Sequence, residues 1–303
     1  MARIVVQVPA TAGRGRLGSQ ALQYSAVMTR RRVERTLVTR VSDIERGTAT
    51  ERVPDELIVE EPMSIRLDGT LVTTTMRTPG HDFELAAGFC FTEGLLAGAR
   101  VTAVRYCLDR TLGAPAIGPN EYNVVTVETG GRAPAPTPRL GTVSSSCGWC
   151  GSDQLDELCA RLGPLPAVEP FDLATLATVP RAVAEEQRLF DATGSVHAAA
   201  AFDRTGSSVL VREDVGRHNA VDKVIGALIL EGGRLPAKDW GLFVSGRASI
   251  EMVQKAWAAG FGTLVAVSAP TSLAVATARR AGMTLVGFMR DDGFNVYSPA
   301  RLR

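Results

Sequence analysis

Leu242-Phe243-Val244-Ser245-Gly246-Arg247-Ala248-Ser249 and Thr263-Leu264-Val265-Ala266-Val267-Ser268-Ala269-Pro270-Thr271-Ser272 decide how the second half of the chain folds. Each begins with a short apolar run, passes through small and hydroxylated residues, and leads into a segment of helical periodicity, the first to Ala259 and the second to about Ala281. The pattern recurs on both sides. Upstream, Ser207 to Val211 leads through Arg212-Glu213-Asp214-Val215-Gly216-Arg217-His218 into a helix from Asn219 to Leu230. Downstream, Thr284 to Phe288 leads into Met289-Arg290-Asp291-Asp292-Gly293. Apolar strands alternating with helices predict an α/β fold, a mainly parallel sheet with helices on both faces and right-handed crossovers.

In such a sheet the strand-to-helix loops open on the carboxyl edge, where ligands bind. That edge should collect Arg217, His218, Ser245, Gly246, Arg247, Ser249, Thr271, Ser272 and Arg290. Gly216 and Gly246 let backbone N–H groups approach a ligand, and helix N-termini favour anions. Three loops each deliver an arginine, the composition of a site for a phosphate-bearing ligand. Ser249, Ser272 and Asn219 could equally cap helices.

The first half reads differently. Residues 1–28 are rich in Gly, Ala, Arg and Ser without a sustained period, as expected of a disordered extension. Residues 29–143 are strand-like. Met63-Ser64-Ile65-Arg66-Leu67 and Leu71-Val72-Thr73-Thr74-Thr75-Met76 flank Asp68-Gly69, a hairpin signal. A short helix over Asp82 to Thr92 and a strand over Tyr122 to Glu128 complete a smaller β-rich domain. A Pro/Gly/Arg linker, Gly130 to Pro138, leads to residues 144–151, and the α/β domain spans 152–303.

Residues 144–151 read Ser-Ser-Ser-Cys147-Gly-Trp149-Cys150-Gly, a Cys-x-x-Cys in a mobile, exposed setting. Thiolates do the chemistry of cysteine, and such pairs, or a helix start, lower thiol pKa values. Ser152 is suited to cap a helix from Asp153 to Leu162. Trp149 is placed to cover the thiols or to pack on a neighbouring domain. The other cysteines, Cys90, Cys107 and Cys159, read as core. Five cysteines at scattered positions form no disulfide framework, so a reducing cytoplasm is expected.

The chain has 303 residues, 45% hydrophobic and 21% charged, with net charge +1, which gives no nucleic-acid signature. The first 50 residues hold nine arginines and three acidic residues, net +6, against −5 for the remainder. No run is apolar for long enough to span a bilayer, and residues 1–28, lacking an apolar core followed by a cleavage site, are not expected to be a secretory signal.

Three chemistries compete for the cysteine pair. A zinc nucleotide deaminase needs His-x-Glu upstream of Pro-Cys-x-x-Cys. His81 precedes Asp82-Phe83-Glu84, so the Glu is one place too far, and Cys147 has no preceding Pro. Structural zinc needs four ligands, and recruiting Cys159 and a His would be strained. A thioredoxin-like motif follows a strand inside a βαβ unit, whereas this pair follows a linker. A thiol that receives and delivers sulfur fits best. His197, before an Ala run, is open between an acid/base or ligand role and a satisfied core histidine.

Arg212-Glu213-Asp214-Val215-Gly216-Arg217-His218-Asn219-Ala220-Val221-Asp222-Lys223 resembles the signature of the FdhD family, the formate dehydrogenase accessory sulfurtransferases. Glu60-Glu61-Pro62, Met76-Arg77-Thr78-Pro79-Gly80, Phe91-Thr92-Glu93-Gly94, Ser146-Cys147-Gly148-Trp149-Cys150-Gly151, Ser245-Gly246-Arg247-Ala248-Ser249 and Pro270-Thr271-Ser272-Leu273-Ala274-Val275 extend it, in order, from about residue 30 to the end. The resemblance implies a cytoplasmic homodimer with a cytidine-deaminase-like C-terminal domain lacking deaminase activity. A cysteine desulfurase would load Cys147 as a persulfide, and Cys150 would assist transfer or release. The sulfur would pass to the molybdenum (or tungsten) bis(molybdopterin guanine dinucleotide) cofactor that serves formate dehydrogenase, and guanine nucleotides would mimic that cofactor. The family's cofactor-binding stretch matches Phe288, Met289, Arg290, Asp291, Asp292 and Gly293. The rival from another class is a zinc-stabilised or non-catalytic module that only binds the cofactor or the apo-dehydrogenase. One departure stands out: Ser195 replaces the second Gly of the Thr-Gly-Gly that usually precedes the histidine in this family.

Overall fold

A computed structural model describes residues 5–7, 30–42, 44, 49–106, 123–136, 158–166, 169–232, 234–290 and 292–299. The Cys147–Cys150 pair with its 144–151 loop, Ser152 and Asp153, Cys107, Asp291 and the expected extension, save 5–7, lie outside the described residues.

In the first half a five-stranded sheet runs in the order β1-β6-β7-β4-β5, with β1 Val5–Gln7, β4 Glu61–Leu67, β5 Thr70–Arg77, β6 Ala103–Tyr106 and β7 Val124–Glu128. The Asp68-Gly69 turn holds both residues at positive φ (47° and 90°), which suits the twist of the β4–β5 hairpin. Helix α1, Asp82–Thr92, covers this sheet through Leu85, Ala86, Phe89 and Cys90, packed on Met63, Ile65, Leu67, Val125 and Val127. A separate two-stranded ribbon, β2 (Val33–Ser42) and β3 (Ala49–Ile58), pairs over ten positions and carries its apolar residues on both faces.

The second half forms a six-stranded sheet, β13-β12-β11-β10-β8-β9. Its strands are β8 His197–Phe202, β9 Ser208–Asp214, β10 Gly241–Val244, β11 Thr263–Ala266, β12 Thr284–Arg290 and β13 Gly293–Pro299. The α/β class is as expected, and β10, β11 and β12 are parallel. The parallel part stops there: β8 and β13 run antiparallel to this core, and β9 pairs antiparallel with β8. The connections explain why, since β8–β9 and β12–β13 are joined by turns too short for a crossover helix.

Helices α4 (Arg217–Leu230), α5 (Ile250–Ala259) and α6 (Ser272–Ala281) share one face, meeting Ala199, Ala201, Leu242, Val244, Leu264 and Leu285. The opposite face holds α2 (Leu173–Ala184) through Leu176, Val179 and Val183 on Ala198, Ala200, Phe243 and Val265; the short α3 (Arg188–Thr193) follows it. The alanine run is therefore a central strand, and its methyl groups let helices from both sides sit close to the sheet.

Helix α4 is buried on nearly all sides because α1 lies on its outer surface. The contact is set by two glycines. A Cβ on Gly88 would stand 1.9 Å from the Asp222 carbonyl oxygen, and one on Gly226 would stand 1.8 Å from that of Glu84. Any side chain at either position would push the two helices apart.

Candidate functional site at the carboxyl edge

Strands β9 and β10 both oppose β8, so they point the same way, and β11 and β12 follow them. The carboxyl ends of these four strands therefore meet on one edge, joined by the start of β8. Backbone hydrogen bonds lace the loops together. Ser245 N–H donates to Ala198 O (2.9 Å), Ser268 N–H to Gly246 O (3.4 Å), Thr271 N–H to Ala248 O (3.0 Å) and Phe288 N–H to Ser268 O (3.3 Å).

The turn from β9 into α4 is held by Asp214, which is fully buried. Its carboxylate accepts from Gly216 N–H (2.8 Å), Asn219 Nδ2 (3.0 Å) and Thr78 N–H (3.2 Å), and pairs with Lys223 Nζ at 2.7 Å. Lys223 also donates to the Thr78 carbonyl, and Asn219 to that of Met76. Asn219 is thus not a helix cap. It ties α4 to the Met76–Gly80 turn of the first half. Glu213 likewise looks inward, accepting from Leu189 and Phe190 N–H at the start of α3. A second buried cluster closes the other end of the α1–α4 contact. Lys255 Nζ reaches both Asp222 oxygens (2.9 Å each), Thr92 Oγ1 (2.8 Å) and Glu93 (3.2 Å). Burial pushes the Asp222 carboxyl up to about 6 against the pull of Lys255 and Thr92.

The remaining edge residues divide by how well they are satisfied. Thr271 caps α6, accepting from Ala274 N–H at 3.2 Å, and Ser272 is exposed beside it. Ser245 Oγ accepts from Ala198 N–H (2.9 Å) and pins β8. Met289 is buried in the core, so its side chain does not face a ligand. Arg290 is exposed and donates to the Val267 and Met289 carbonyls; Asp292 and Gly293 sit in the exposed turn after it. Phe288 is 44% exposed at φ 52°, an uncommon backbone for an aromatic residue. Arg247 is exposed.

Three residues at the heads of α4 and α5 are not satisfied. Arg217 Nε, His218 Nε2 and Ser249 Oγ are buried atoms without a hydrogen-bond partner among the described residues. Ser249 occupies the N-cap position of α5 yet makes no capping bond, and Gly216 gives α4 no side-chain cap. Buried polar atoms are normally paired, and these three stand together at helix N-termini, where an anion could satisfy them. Between these loops Gly246 is uncrowded: a Cβ there would make ordinary contacts, with Arg217 Cδ and His197 Nδ1 nearest at 3.7 Å. The orphaned atoms and the open position fit an anionic, phosphate-bearing molecule.

Both histidines of this corner are held neutral. Burial, then Lys255 and Arg217, push His218 down to about 4; burial and Arg217 lower His197, with Asp214 opposing. His197 is the edge residue that the loop pattern missed, since it enters from the start of an antiparallel strand. Among the described residues no group of three His, Cys, Asp or Glu side chains could hold a metal ion, and no helix is long and apolar enough to cross a membrane. Cys90 is buried with its thiol pushed up by burial and nearby carboxylates, and Cys159 packs against the core.

Known proteins share this architecture and sequence. The chain is 48% identical over 268 residues to the sulfur carrier protein FdhD of Mycolicibacterium paratuberculosis, covering 86% of this chain and 96% of that one. It is 47% identical to the protein of the same name from Streptomyces coelicolor, over 88% and 94% of the two chains. A crystal structure from Desulfotalea psychrophila, of a protein proposed to be a formate dehydrogenase accessory protein, superposes with a TM-score of 0.66 at 25% identity. It covers 89% of this chain and 99% of its own. The sequence profile of the FdhD/NarQ family matches residues 58–303, which takes in the six-stranded sheet, the five-stranded sheet except β1, the α1–α4 contact and the whole carboxyl edge, and leaves out the β2–β3 ribbon but for Ile58. By sequence and by fold, the chain belongs to the FdhD/NarQ family.

Proposed function

We propose that this protein is a sulfurtransferase that carries sulfur on Cys147 and delivers it to a bis(molybdopterin guanine dinucleotide) cofactor bound at the carboxyl edge. The observation that carries the reading is the cluster of orphaned polar atoms of Arg217, His218 and Ser249 at the heads of α4 and α5, on the edge that also carries Arg247 and the uncrowded Gly246 position. The sulfur carrier name of the relatives supports the transfer half. The chain has the required thiols in Cys147 and Cys150.

The chemistry balances without an external oxidant. A cysteine desulfurase persulfide meets the Cys147 thiolate, the sulfane sulfur moves across, and the donor leaves as a thiolate. Attack by the Cys150 thiolate on Cys147 of that persulfide then forms the Cys147–Cys150 disulfide and releases hydrosulfide to the metal of the bound cofactor, which is the substrate. The disulfide must be reduced before the next cycle, for which a cytoplasmic thiol pool is suited. Arg217 and Arg247 hold the anionic part of the cofactor, and the Phe288–Gly293 segment its far end. The protein would act as a homodimer on the catalytic subunit of formate dehydrogenase. Deaminase chemistry is not expected, since His81 and Glu84 are committed to each other and to Arg212.

The test is intact-protein mass spectrometry after incubation with a cysteine desulfurase and cysteine. Wild type should gain reducible sulfur, and Cys147→Ala should not, while still binding GDP. Sulfur gain by Cys147→Ala would overturn the assignment of the carrier. No gain in either, with stoichiometric zinc present, would favour a module that only binds.

A further inference from the structure

The β2–β3 ribbon belongs to neither sheet, and the family profile matches only from residue 58, the last of β3. Its root is fixed: Arg32 Nε donates to the Pro79 carbonyl (3.0 Å), and Arg30 donates to Glu61 (2.9 Å) and Asn123 (2.6 Å). Beyond the root the ribbon shows apolar side chains to solvent, with Leu37 60% and Val41 50% exposed. Two strands alone are marginal in water, and a long edge with apolar side chains is a template for a further strand.

The ladder identifies the free edge. Val59 N–H donates to the Arg32 carbonyl (2.9 Å) at the foot of the ribbon. The pairing continues without a register shift, from Val33 opposite Ile58 to Ser42 opposite Ala49. Even-numbered residues of β2 therefore bond to β3, while Val33, Arg35, Leu37, Thr39 and Val41 turn their N–H and C=O groups outward. The outer edge of β3 is interrupted, because Pro54, opposite Leu37, places a nitrogen without hydrogen there. The edge of β2 has no such break, and among the described residues no strand pairs with it.

We propose that the outer edge of β2 pairs with β2 of a second copy of this chain, antiparallel and about a two-fold axis at Leu37, so that the two ribbons join in one sheet. The strand is complementary to itself in this register. On one face Leu37 meets Leu37 of the partner subunit, and Val33 meets Val41 of the partner subunit. On the other face Glu34, exposed and without an ion-pair partner among the described residues, stands opposite Arg40 of the partner subunit, and symmetry repeats the pair. Neighbouring registers lose this match. A slide of two residues in one direction sets Arg32 against Arg40 of the partner subunit, and in the other it leaves Glu34 opposite Ser42 of the partner subunit. The proposal assigns the contact of the homodimer named above. It does not depend on the sulfur-transfer reading, whose mass-spectrometric test could fail with the dimer intact.

The experiment is analytical ultracentrifugation of the full chain over a range of concentrations, with circular dichroism to check that each variant folds. Wild type should be a dimer that dissociates on dilution. Thr39→Pro removes an outward N–H while leaving the β2–β3 bonds and the apolar side chains in place, and it should weaken the dimer about tenfold or more. Glu34→Arg sets like charges together at both ends of the contact and should weaken it about fivefold, the size of two exposed cross-strand pairs. Adding Arg40→Glu to Glu34→Arg should restore the dimer. Within one ribbon Glu34 faces Leu57 and Arg40 faces Glu51, so that rescue can arise only across the two-fold axis. A monomeric wild type would overturn the proposal. So would a dimer of unchanged affinity in Thr39→Pro, or a charge-swapped double variant no better than Glu34→Arg.

Discussion

The segment Arg212–Lys223 serves two regions that obey opposite rules. Toward α1, its polar groups are spent: Asp214, Asn219, Asp222 and Lys223 are buried and each has named partners. Toward the carboxyl edge, Arg217 and His218 keep buried atoms without any. The glycines divide in the same way. Gly88 and Gly226 are glycines because backbone fills the space, whereas a Cβ at Gly246 would make only ordinary contacts with Arg217 and His197. One continuous motif thus fixes two halves together on one side and presents unsatisfied chemistry on the other. A signature sequence is therefore not all active site, and partner accounting separates its two tasks.

The largest effect should come from breaking the satisfied side. Lys223→Met leaves Asp214 charged and buried without its cation, which costs about 3–5 kcal/mol by the usual behaviour of such pairs. Chemical denaturation should register that loss, and a change under about 1 kcal/mol would mean that the pair does not anchor α4. The glycines come next. Gly226→Ala should cost about 3 kcal/mol by overpacking, because the offending atom is backbone and cannot swing away. Gly246→Ala should change stability by no more than about 0.5 kcal/mol while weakening pyrophosphate binding. Equal stability losses in the two variants would erase the distinction between the regions.

Much of this was legible in the sequence. The apolar strands, the helix over Asp82–Thr92 and the convergence of Arg217, Gly246 and Arg290 follow from period and loop placement, which are local signals. The antiparallel members of the sheet were not: Ala198–Ala201 lacks the β-branched residues that mark a strand, and its small size makes sense only once helices are packed on both sides. The sequence does not place His197 for the same reason, since its position depends on the pairing of β8 with β10. The inward turn of Glu213, Asp214 and Asn219 was also invisible. Their partners, Thr78, Met76 and the α3 amides, lie far along the chain, and no spacing encodes them. Residues whose function is to meet distant groups can be named from a motif but not assigned.

The finest test of the contrast lies in acid. His81, His197 and His218 are all held below the free histidine value, in each case first by burial. The unfolded chain therefore takes up protons that the folded chain refuses. Stability is complete above about pH 6.5 and falls as the pH drops toward the folded values, near 4 for His218. With its partial exposure, His218 should account for about 1–2 kcal/mol of that fall, and His218→Gln should remove this share. Below about pH 4.5 a second loss follows from Glu84. His81 and Arg212, outweighing burial, hold its carboxyl down to about 2, and Glu84→Gln should remove that phase while lowering the His81 value further, since Glu84 is what raises it. The lower phase reports on the satisfied contact through Glu84, whereas the upper phase draws on His197 and His218 of the open edge together with His81 beside Glu84. A bound anion should favour protonation of the edge histidines, so saturating pyrophosphate should shrink the upper phase and leave the Glu84 phase where it was. If pyrophosphate shifted both phases alike, or neither, the edge would not be the anion site.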